Sequence, residues 1–297
     1  MGLSADVFHT LLGLWKCGHF TKADSVLELG TQELHLTFDT FDSAINAYCI
    51  PGYVADDFLP WEWETHGRCR YASEFYKLLG FKKYTCLDMN SEHDAMPHDL
   101  NYPFEDRSLW NQFDLVTDYG CAEHAFNVSE AFRTMHRLCK PNGLIISHQL
   151  HSQGNGYYLF EPGFYEDIAA ANGYDIIFCA MTVSNIQGSS GPGGSSWMLP
   201  LSYELMHLLD RGKLSAIGMI YVMKKNNDKD FILPYQGKFM SIKYHNMGYE
   251  TSAFTNYTHP SRSYVPIIDL SRNISSKKFK QICKAYFSRK LMSWLKR

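Results

Sequence analysis

Short apolar, β-prone runs alternate with helix-forming segments along most of this chain. The clearest run is Ser25–Leu29, which stops at Gly30 and follows an amphipathic segment over residues 5–20. Further strands are predicted at 84–87, 113–117, 143–147, 174–179 and 216–223, and further helices at 71–79, 129–138 and 164–171. This alternation favours parallel βαβ units, and therefore an α/β fold built on a doubly wound, mostly parallel sheet. The last strand is predicted to close that sheet at its edge.

The chain is long enough to bury a large core, with 297 residues of which 45% are hydrophobic and 20% charged. We expect one domain over residues 1–225 and a C-terminal extension over residues 226–297. The formal charge is -3, so the composition lacks the excess of positive charge that is typical of proteins that bind nucleic acid. A small-molecule partner is favoured instead.

The eight cysteines are scattered and form no C-x-x-C pair, which disfavours a disulfide framework or a zinc site. The N-terminus has no apolar core typical of a signal peptide, and no apolar run is long enough to span a bilayer. We therefore expect a cytoplasmic protein. The sequence does not indicate its oligomeric state.

Two segments fall outside the alternating pattern. Residues 51–70 contain Trp61 and Trp63 and are interpreted as an insertion, either a lid over the active face or a segment pinned down by packing. Residues 275–297 read as a helix with basic and apolar side chains interleaved. Such a helix has a solvated or packed face in most proteins, but it also suits contact with an anionic membrane surface or a partner.

Glycine and polar residues stand where the predicted strands end. Gly30, Asp88, Asp118 and His148 follow four of them. Ligands of open α/β sheets bind outside the carboxyl ends of the strands, and an acid after a strand can accept both hydroxyls of a ribose. A glycine after one strand and an acid after its neighbour therefore indicate a nucleoside site.

The order of the motifs adds to this interpretation. They are Glu28-x-Gly30, Leu87-Asp88, His98-Asp99-Leu100, Phe113-Asp114-Leu115-Val116, Glu123-His124 and Lys140-Pro141-Asn142-Gly143. In this order the chain resembles the class I S-adenosylmethionine-dependent methyltransferases over about residues 25–223. It departs from the family at the glycine-rich loop, where Thr31 and Gln32 replace further glycines.

The resemblance implies a Rossmann-like fold, S-adenosylmethionine as cofactor and S-adenosylhomocysteine as coproduct. Glu28, Gly30 and Gln32 would lie along the methionine and ribose of the cofactor, and Asp88 would accept the ribose hydroxyls, with Met89 beside it. Asp99 and Leu100 would hold the adenine, and Asp118 and Tyr119 would lie at the methionine end.

Three histidines are candidates for a catalytic base, because a histidine near its usual pKa can take a proton at neutral pH. His148 ranks first, since it follows the fourth predicted strand and should face the pocket. His124 and His151 rank below it, and Glu123-His124 has an alternative role as a structural cap. Glu123 and the three histidines could also bind a divalent metal, but Gly120 replaces a glutamate of the related metal-binding pattern, so metal is not favoured.

The predicted function is methyl transfer from S-adenosylmethionine to oxygen, with nitrogen second, of a small molecule such as a sugar or glycan precursor or a secondary metabolite. The alternative is a non-catalytic cofactor-binding protein or a peripheral membrane scaffold. Fold resemblance by itself does not decide between them.

Overall fold

The computed structural model describes residues 2–58, 69–91, 94–152, 154–185, 196–202, 206, 215–236 and 268–269. The helices are α1 (Ala5–Lys16), α2 (Phe38–Tyr48), α3 (Ala72–Leu78), α4 (Val128–Leu138) and α5 (Pro162–Asn172). The strands are β1 (Gly2–Leu3), β2 (Ser25–Leu29), β3 (Glu33–Leu34), β4 (Cys69–Tyr71), β5 (Lys83–Asp88), β6 (Met96–Pro97), β7 (Phe113–Tyr119), β8 (Cys139–Ser152), β9 (Asp175–Asn185), β10 (Ser196–Pro200), β11 (Ser215–Lys224) and β12 (Ile268–Asp269).

The main sheet has the strand order β12-β10-β9-β11-β8-β7-β2-β5-β6. From β6 to β8 every neighbouring pair is parallel, whereas β11 runs antiparallel to both β8 and β9. The α/β fold with a doubly wound sheet is therefore confirmed. The sheet is mixed rather than mostly parallel, because the pairs from β12 to β8 are all antiparallel.

Helices cover both faces of this sheet because each presents an apolar stripe to it. In α1 the buried residues Val7, Phe8, Leu11 and Leu12 recur at helical spacing. Helices α1, α2 and α3 pack on one face, and α4 and α5 pack on the other. The strands between two such layers are covered on both sides, and β2 and β7 are accordingly buried along nearly their whole length.

Strand β11 does not close the sheet at its edge, so that prediction is wrong. It lies between β8 and β9 and pairs with both along its length. Its side chains from Met219 to Met223 are all fully buried. A continuous apolar run of this kind fits an interior strand, which has both faces covered.

Strand β8 is longer than the predicted residues 143–147. The antiparallel partner β11 pairs with it as far as Ser152 and so extends it at its carboxyl end. His148 therefore lies inside the strand, and the prediction that it follows the strand end is wrong. His151 is inside the strand as well.

A second, small sheet brings the N-terminus to the carboxyl edge of the main sheet. Strand β1 pairs in parallel with β3, which comes shortly after β2, and β3 pairs with β4. Since β1 leads directly into α1, the first turn of α1 lies beside the carboxyl ends of the strands. Sequence analysis did not predict that the N-terminus lies at this edge of the main sheet.

Part of the aromatic insertion is described. Tyr53 and Phe58 place their rings 5.9 and 5.0 Å from the ring of Phe41 on α2, and the Tyr53 hydroxyl donates to Asp42 Oδ1 at 2.8 Å. These two aromatics thus pin the start of the insertion to α2. Trp61 and Trp63 lie outside the described residues, so the lid stays a prediction.

The predicted division at residue 225 also stays a prediction. Residues just beyond it pack on the α/β domain, since Ile232 N donates to Asn172 Oδ1 at 2.8 Å. The predicted basic helix at 275–297 lies outside the described residues. In the described part of the chain, no helix combines the length and apolar character needed to cross a membrane.

Candidate active site

The strand order reverses direction at β2. From β2 the chain first builds β5 and β6 on one side and then β7 and β8 on the other. The loops that follow β2 and β7 therefore diverge and leave a crevice at their carboxyl ends, which is the ligand position of open α/β sheets. The candidate site is built around this point.

Gly30 and Asp88 form one side of the crevice. Gly30 has a φ of 74°, a conformation that glycine adopts without strain, and its N–H donates to Leu87 O at 2.6 Å. The half-buried Asp88 carboxylate accepts from Thr31 N at 2.9 Å through Oδ2. Its Oδ1 has one long contact within the described part of the chain, 3.4 Å to Asn90 N. One carboxylate oxygen is thus fixed by the β2 loop while the other can accept from a ligand.

Gln32 reaches across the crevice toward the loop after β7. Its side chain is fully buried, and Nε2 lies 3.0 Å from Leu29 O and 3.3 Å from Cys121 Sγ. Among the described residues, Gln32 Oε1 has no hydrogen-bond partner. A buried acceptor without a partner is costly, so a ligand that carries a donor would be stabilised beside it.

Asp118 anchors the turn after β7. Its Oδ1 accepts from Cys121 N at 2.9 Å and Ala122 N at 3.2 Å, and its Oδ2 accepts from the Gln149 side chain. Burial raises the pKa of the Asp118 carboxyl to about 6, against these hydrogen bonds. Asp118 thus shapes the loop beside the crevice.

Glu28 is enclosed on the face covered by α3. Tyr76 and Tyr84 donate to its two carboxylate oxygens at 2.8 and 2.7 Å, and Tyr119 lies 3.3 Å from Tyr76, hydroxyl to hydroxyl. Burial raises the pKa of Glu28 to about 7, although the tyrosine hydrogen bonds lower it. Both Glu28 oxygens are already bonded, so the predicted contact with the cofactor would need this network to open.

The remaining predicted cofactor residues lie beyond β5 and β6. Met89 is 70% exposed, and Leu100 packs at the margin of the core beneath α4 and α5. Asp99 Oδ1 accepts from the backbone and the side chain of Asn101, which closes a tight turn. Their cofactor contacts stay predictions.

The residues of the crevice fit a nucleoside cofactor. A glycine with positive φ gives a ligand close access to the backbone, Asp88 offers a carboxylate oxygen, and Gln32 offers an unpaired buried acceptor. The glycine and the acid end adjacent strands, β2 and β5, as dinucleotide and nucleoside sites require.

His148 lies on the α1 face of the sheet, next to Tyr119. The register pairs His148 with Tyr119 on β7, two strands and roughly 10 Å from β2. Its Nε2 is 3.0 Å from Thr182 Oγ1 and 3.9 Å from Asp6 Oδ2, and its side chain is 15% exposed. Burial lowers the pKa of His148, and the negative charge of Asp6 opposes that shift.

The other two histidines lie elsewhere. His151 is three residues from His148 on the same strand, so it faces the opposite side of the sheet, and its Nδ1 is 3.0 Å from Phe160 O. His124 lies on a short 3-10 turn, Ala122–His124, with its side chain 42% exposed and its Nε2 3.6 Å from Glu123 Oε1.

Glu123 fixes the loop after β8 to the turn after β7. Its Oε2 accepts from Leu150 N at 3.3 Å, and its carbonyl accepts from Tyr157 N at 2.8 Å. It does not cap α4, so the helix-cap role proposed for Glu123-His124 is wrong, although the pair does hold a loop. Glu123, His124, His148 and His151 do not converge, and no group of three or more potential metal ligands occurs in the described ranges.

Four residues of this region were missed by the sequence analysis: Asp6, Gln149, Thr182 and Gly218. An acid in the first turn of a helix is common, so Asp6 gave no signal. Gly218 did give a signal, because a lone glycine in an apolar strand marks a point where other groups approach the backbone closely. A Cβ there would lie 2.6 Å from Thr182 Oγ1 and 2.8 Å from His148 Nε2.

The fold and the crevice together define a Rossmann-like protein that binds a nucleoside cofactor. Residues 67–147, from the end of the insertion to the middle of β8, match the family model described as methyltransferase domain. This match places a methyltransferase domain in this part of the chain and supports methyl transfer from S-adenosylmethionine as the reaction. No curated protein matches the chain.

Solved structures with similar folds have low sequence identity. One is a 1,6-didemethyltoxoflavin-N1-methyltransferase of Burkholderia thailandensis, crystallised with 1,6-didemethyltoxoflavin and S-adenosylhomocysteine. It is 12% identical, and the match covers 75% of this chain and 82% of that chain at a TM-score of 0.38. Methyltransferases dependent on the same cofactor from Mesorhizobium loti and Archaeoglobus fulgidus are each 10% identical. Those matches cover 74% and 75% of this chain and 98% and 95% of the others, at TM-scores of 0.37 and 0.36.

Proposed function

We propose that this enzyme methylates a hydroxyl oxygen of a small molecule, with a sugar or glycan precursor or a secondary metabolite as the acceptor class. The observation that carries the proposal is the imidazole of His148, which is held beside Tyr119 near the carboxyl edge, about two strands from the cofactor crevice. A hydroxyl acceptor needs a base in this position, whereas an unprotonated amine does not.

The cofactor would be held by the residues around β2, β5 and β7. Asp88 binds the ribose hydroxyls, and Gln32 supplies its unpaired buried oxygen to a donor of the cofactor. Asp99 and Leu100 flank the adenine, with Met89 at the exposed rim. Gly30 provides close backbone access, and Asp118, Tyr119 and Glu28 lie toward the methionine end.

The cofactor supplies a methyl group already activated on a sulfonium, so the protein mainly orients the reactants and accepts a proton. Neutral His148 accepts the proton of the acceptor hydroxyl as the oxygen takes the methyl group. Burial of the ring lowers the pKa of His148, which favours the neutral imidazole that can accept a proton. Metal ligation by His148 has no part in this scheme.

The test is single-turnover methyl transfer by the His148→Gln variant over a panel of hydroxyl and amine acceptors. We expect turnover to fall roughly 10²- to 10⁴-fold for the active hydroxyl acceptor, with S-adenosylhomocysteine affinity unchanged. His19→Gln, which alters an exposed histidine, is the matched control. Mass spectrometry and NMR of the product identify the methylated atom.

Three outcomes would contradict the proposal. If His148→Gln turns over at the wild-type rate while His124→Gln or His151→Gln is inactive, the base is one of those histidines. If the cofactor binds but no acceptor is methylated by the wild-type protein, the non-catalytic alternative is favoured. Methylation of nitrogen alone would remove the need for a base.

A further inference from the structure

The imidazole of His148 is held by a group of side chains from three separate elements. Asp6 comes from the first turn of α1, Thr182 from β9, and Gly218 from β11, where it leaves the space that the other side chains occupy. Asp6 is 3% exposed, so its carboxylate faces His148 inside the protein.

Asp6 is itself fixed in place. Its Oδ1 accepts from the hydroxyl of Ser4 and from Val7 N, the latter at 3.1 Å. This leaves Oδ2 as the oxygen that faces His148 Nε2. Among the described residues around the ring, Asp6 is the carboxylate that faces it, while β7 contributes Tyr119 and β9 contributes Thr182.

We propose that Asp6 is a positioning residue for His148. Together with Thr182 it holds the proton on Nε2, so that the lone pair of Nδ1 is directed to the acceptor hydroxyl. Asp6 also balances the positive charge of the imidazolium. This inference rests on the proposed function. The hydrogen bond made by one ring nitrogen decides which nitrogen carries the proton. Both Thr182 Oγ1 and Asp6 Oδ2 lie on the Nε2 side.

The proton balance follows from this arrangement. The O–H bond of the acceptor breaks, and its proton passes to Nδ1. The oxygen forms its bond to the methyl carbon while the bond from that carbon to the sulfonium sulfur breaks, which would leave the neutral thioether of S-adenosylhomocysteine. His148 then carries one positive charge in a buried position, which is costly without a counter-charge. The Asp6 carboxylate supplies it, so α1 contributes a charge to the chemistry as well as covering the sheet.

The test is NMR titration of His148 in the full chain, labelled with ¹⁵N- and ¹³C-histidine and assigned by the loss of its signal in His148→Gln. We expect Asp6→Asn to increase the acid dissociation constant of His148 about tenfold or more, as removal of a carboxylate at this distance should. Asp39→Asn, which alters an exposed acid in the first turn of α2, is the matched control and should not change it.

A second measurement uses the wild-type protein, so the test does not depend on how Asp6→Asn folds. Above its pKa, wild-type His148 should show the ¹⁵N shifts of the Nε2–H tautomer. An Nδ1–H tautomer, or an unchanged titration in a folded Asp6→Asn protein, would overturn the role of Asp6. These readouts need no acceptor, so they are independent of the turnover assay on His148→Gln.

Discussion

Asp88 and Gln32 stand at positions set by the local sequence, but their side chains are oriented by residues distant along the chain. Asp88 ends β5, as its sequence position predicted, but its carboxylate is oriented by Thr31 N from the loop after β2. Gln32, which replaces a glycine of the related pattern, bridges Leu29 and Cys121. Both roles depend on how the β2 loop meets its neighbours.

We expect Asp88→Ala to weaken S-adenosylhomocysteine binding by about 1–3 kcal/mol, which raises the dissociation constant roughly 5- to 150-fold. The physical reason is the loss of a charged acceptor for the ribose hydroxyls. Calorimetry of the folded variant provides the measurement. Glu105→Ala, an exposed acid in the loop before β7, is the control and should bind as the wild type does. An unchanged dissociation constant for Asp88→Ala would remove Asp88 from the cofactor site.

At the scale of elements, β11 shows how a strand is adapted to a buried polar site. It is apolar along its interior, but Gly218 interrupts it opposite Thr182 and beside His148. The register between β11 and β8 shifts between Ile217 and Gly218. The strand therefore stabilises the sheet and also makes room for the imidazole.

We expect Gly218→Ala to lower stability by about 1–3 kcal/mol, because its Cβ would lie too close to Thr182 and His148 and both must move. For a domain of this size the melting temperature should fall on the order of 2–12 °C. The control is Gly163→Ala in α5, where a Cβ meets nothing within 4 Å. It should cause no loss of stability. Equal melting temperatures for wild type and Gly218→Ala would show that the site has more room than its geometry indicates.

At the scale of the whole molecule, several buried titratable groups make stability depend on pH. Burial raises the pKa of Glu28 from 4.5 to about 7 and that of Asp118 from 3.8 to about 6. Between pH 4.5 and about 7 for Glu28, and between pH 3.8 and about 6 for Asp118, the folded protein keeps a proton that the unfolded chain has released. These two groups therefore make stability fall as pH rises. His136 acts in the opposite sense, because burial lowers its pKa to about 4 and stability is lost as pH falls below 6.5.

The effect of Glu28 can be isolated with Glu28→Gln. Relative to wild type, this variant should gain stability as pH rises from 5 to 8, by on the order of 2 kcal/mol, because only the wild type must ionise a buried carboxyl. Urea unfolding at pH 5, 6, 7 and 8 measures the difference. Glu105→Gln, which alters an exposed glutamate, is the matched control. A difference between Glu28→Gln and wild type that stays constant with pH would contradict the raised pKa of Glu28.

The sequence by itself determined the features that depend on neighbours along the chain. The strand at Ser25–Leu29, the left-handed glycine that ends it and the acid that ends β5 all follow from local β-propensity, turn chemistry and the geometry of strand ends. The order of these signals predicted the parallel part of the sheet, and the family resemblance that it carries predicted the cofactor class.

Only the tertiary structure decided which side chains meet. β11 lies inside the sheet rather than at its edge, and its pairing extends β8 past His148. Glu28 is enclosed by tyrosines from α3 and β5, and Asp6 reaches His148 across more than a hundred residues of chain. Such contacts depend on strand pairing and helix packing between distant segments. Local sequence cannot specify them, because many partners of similar polarity would satisfy the same pattern.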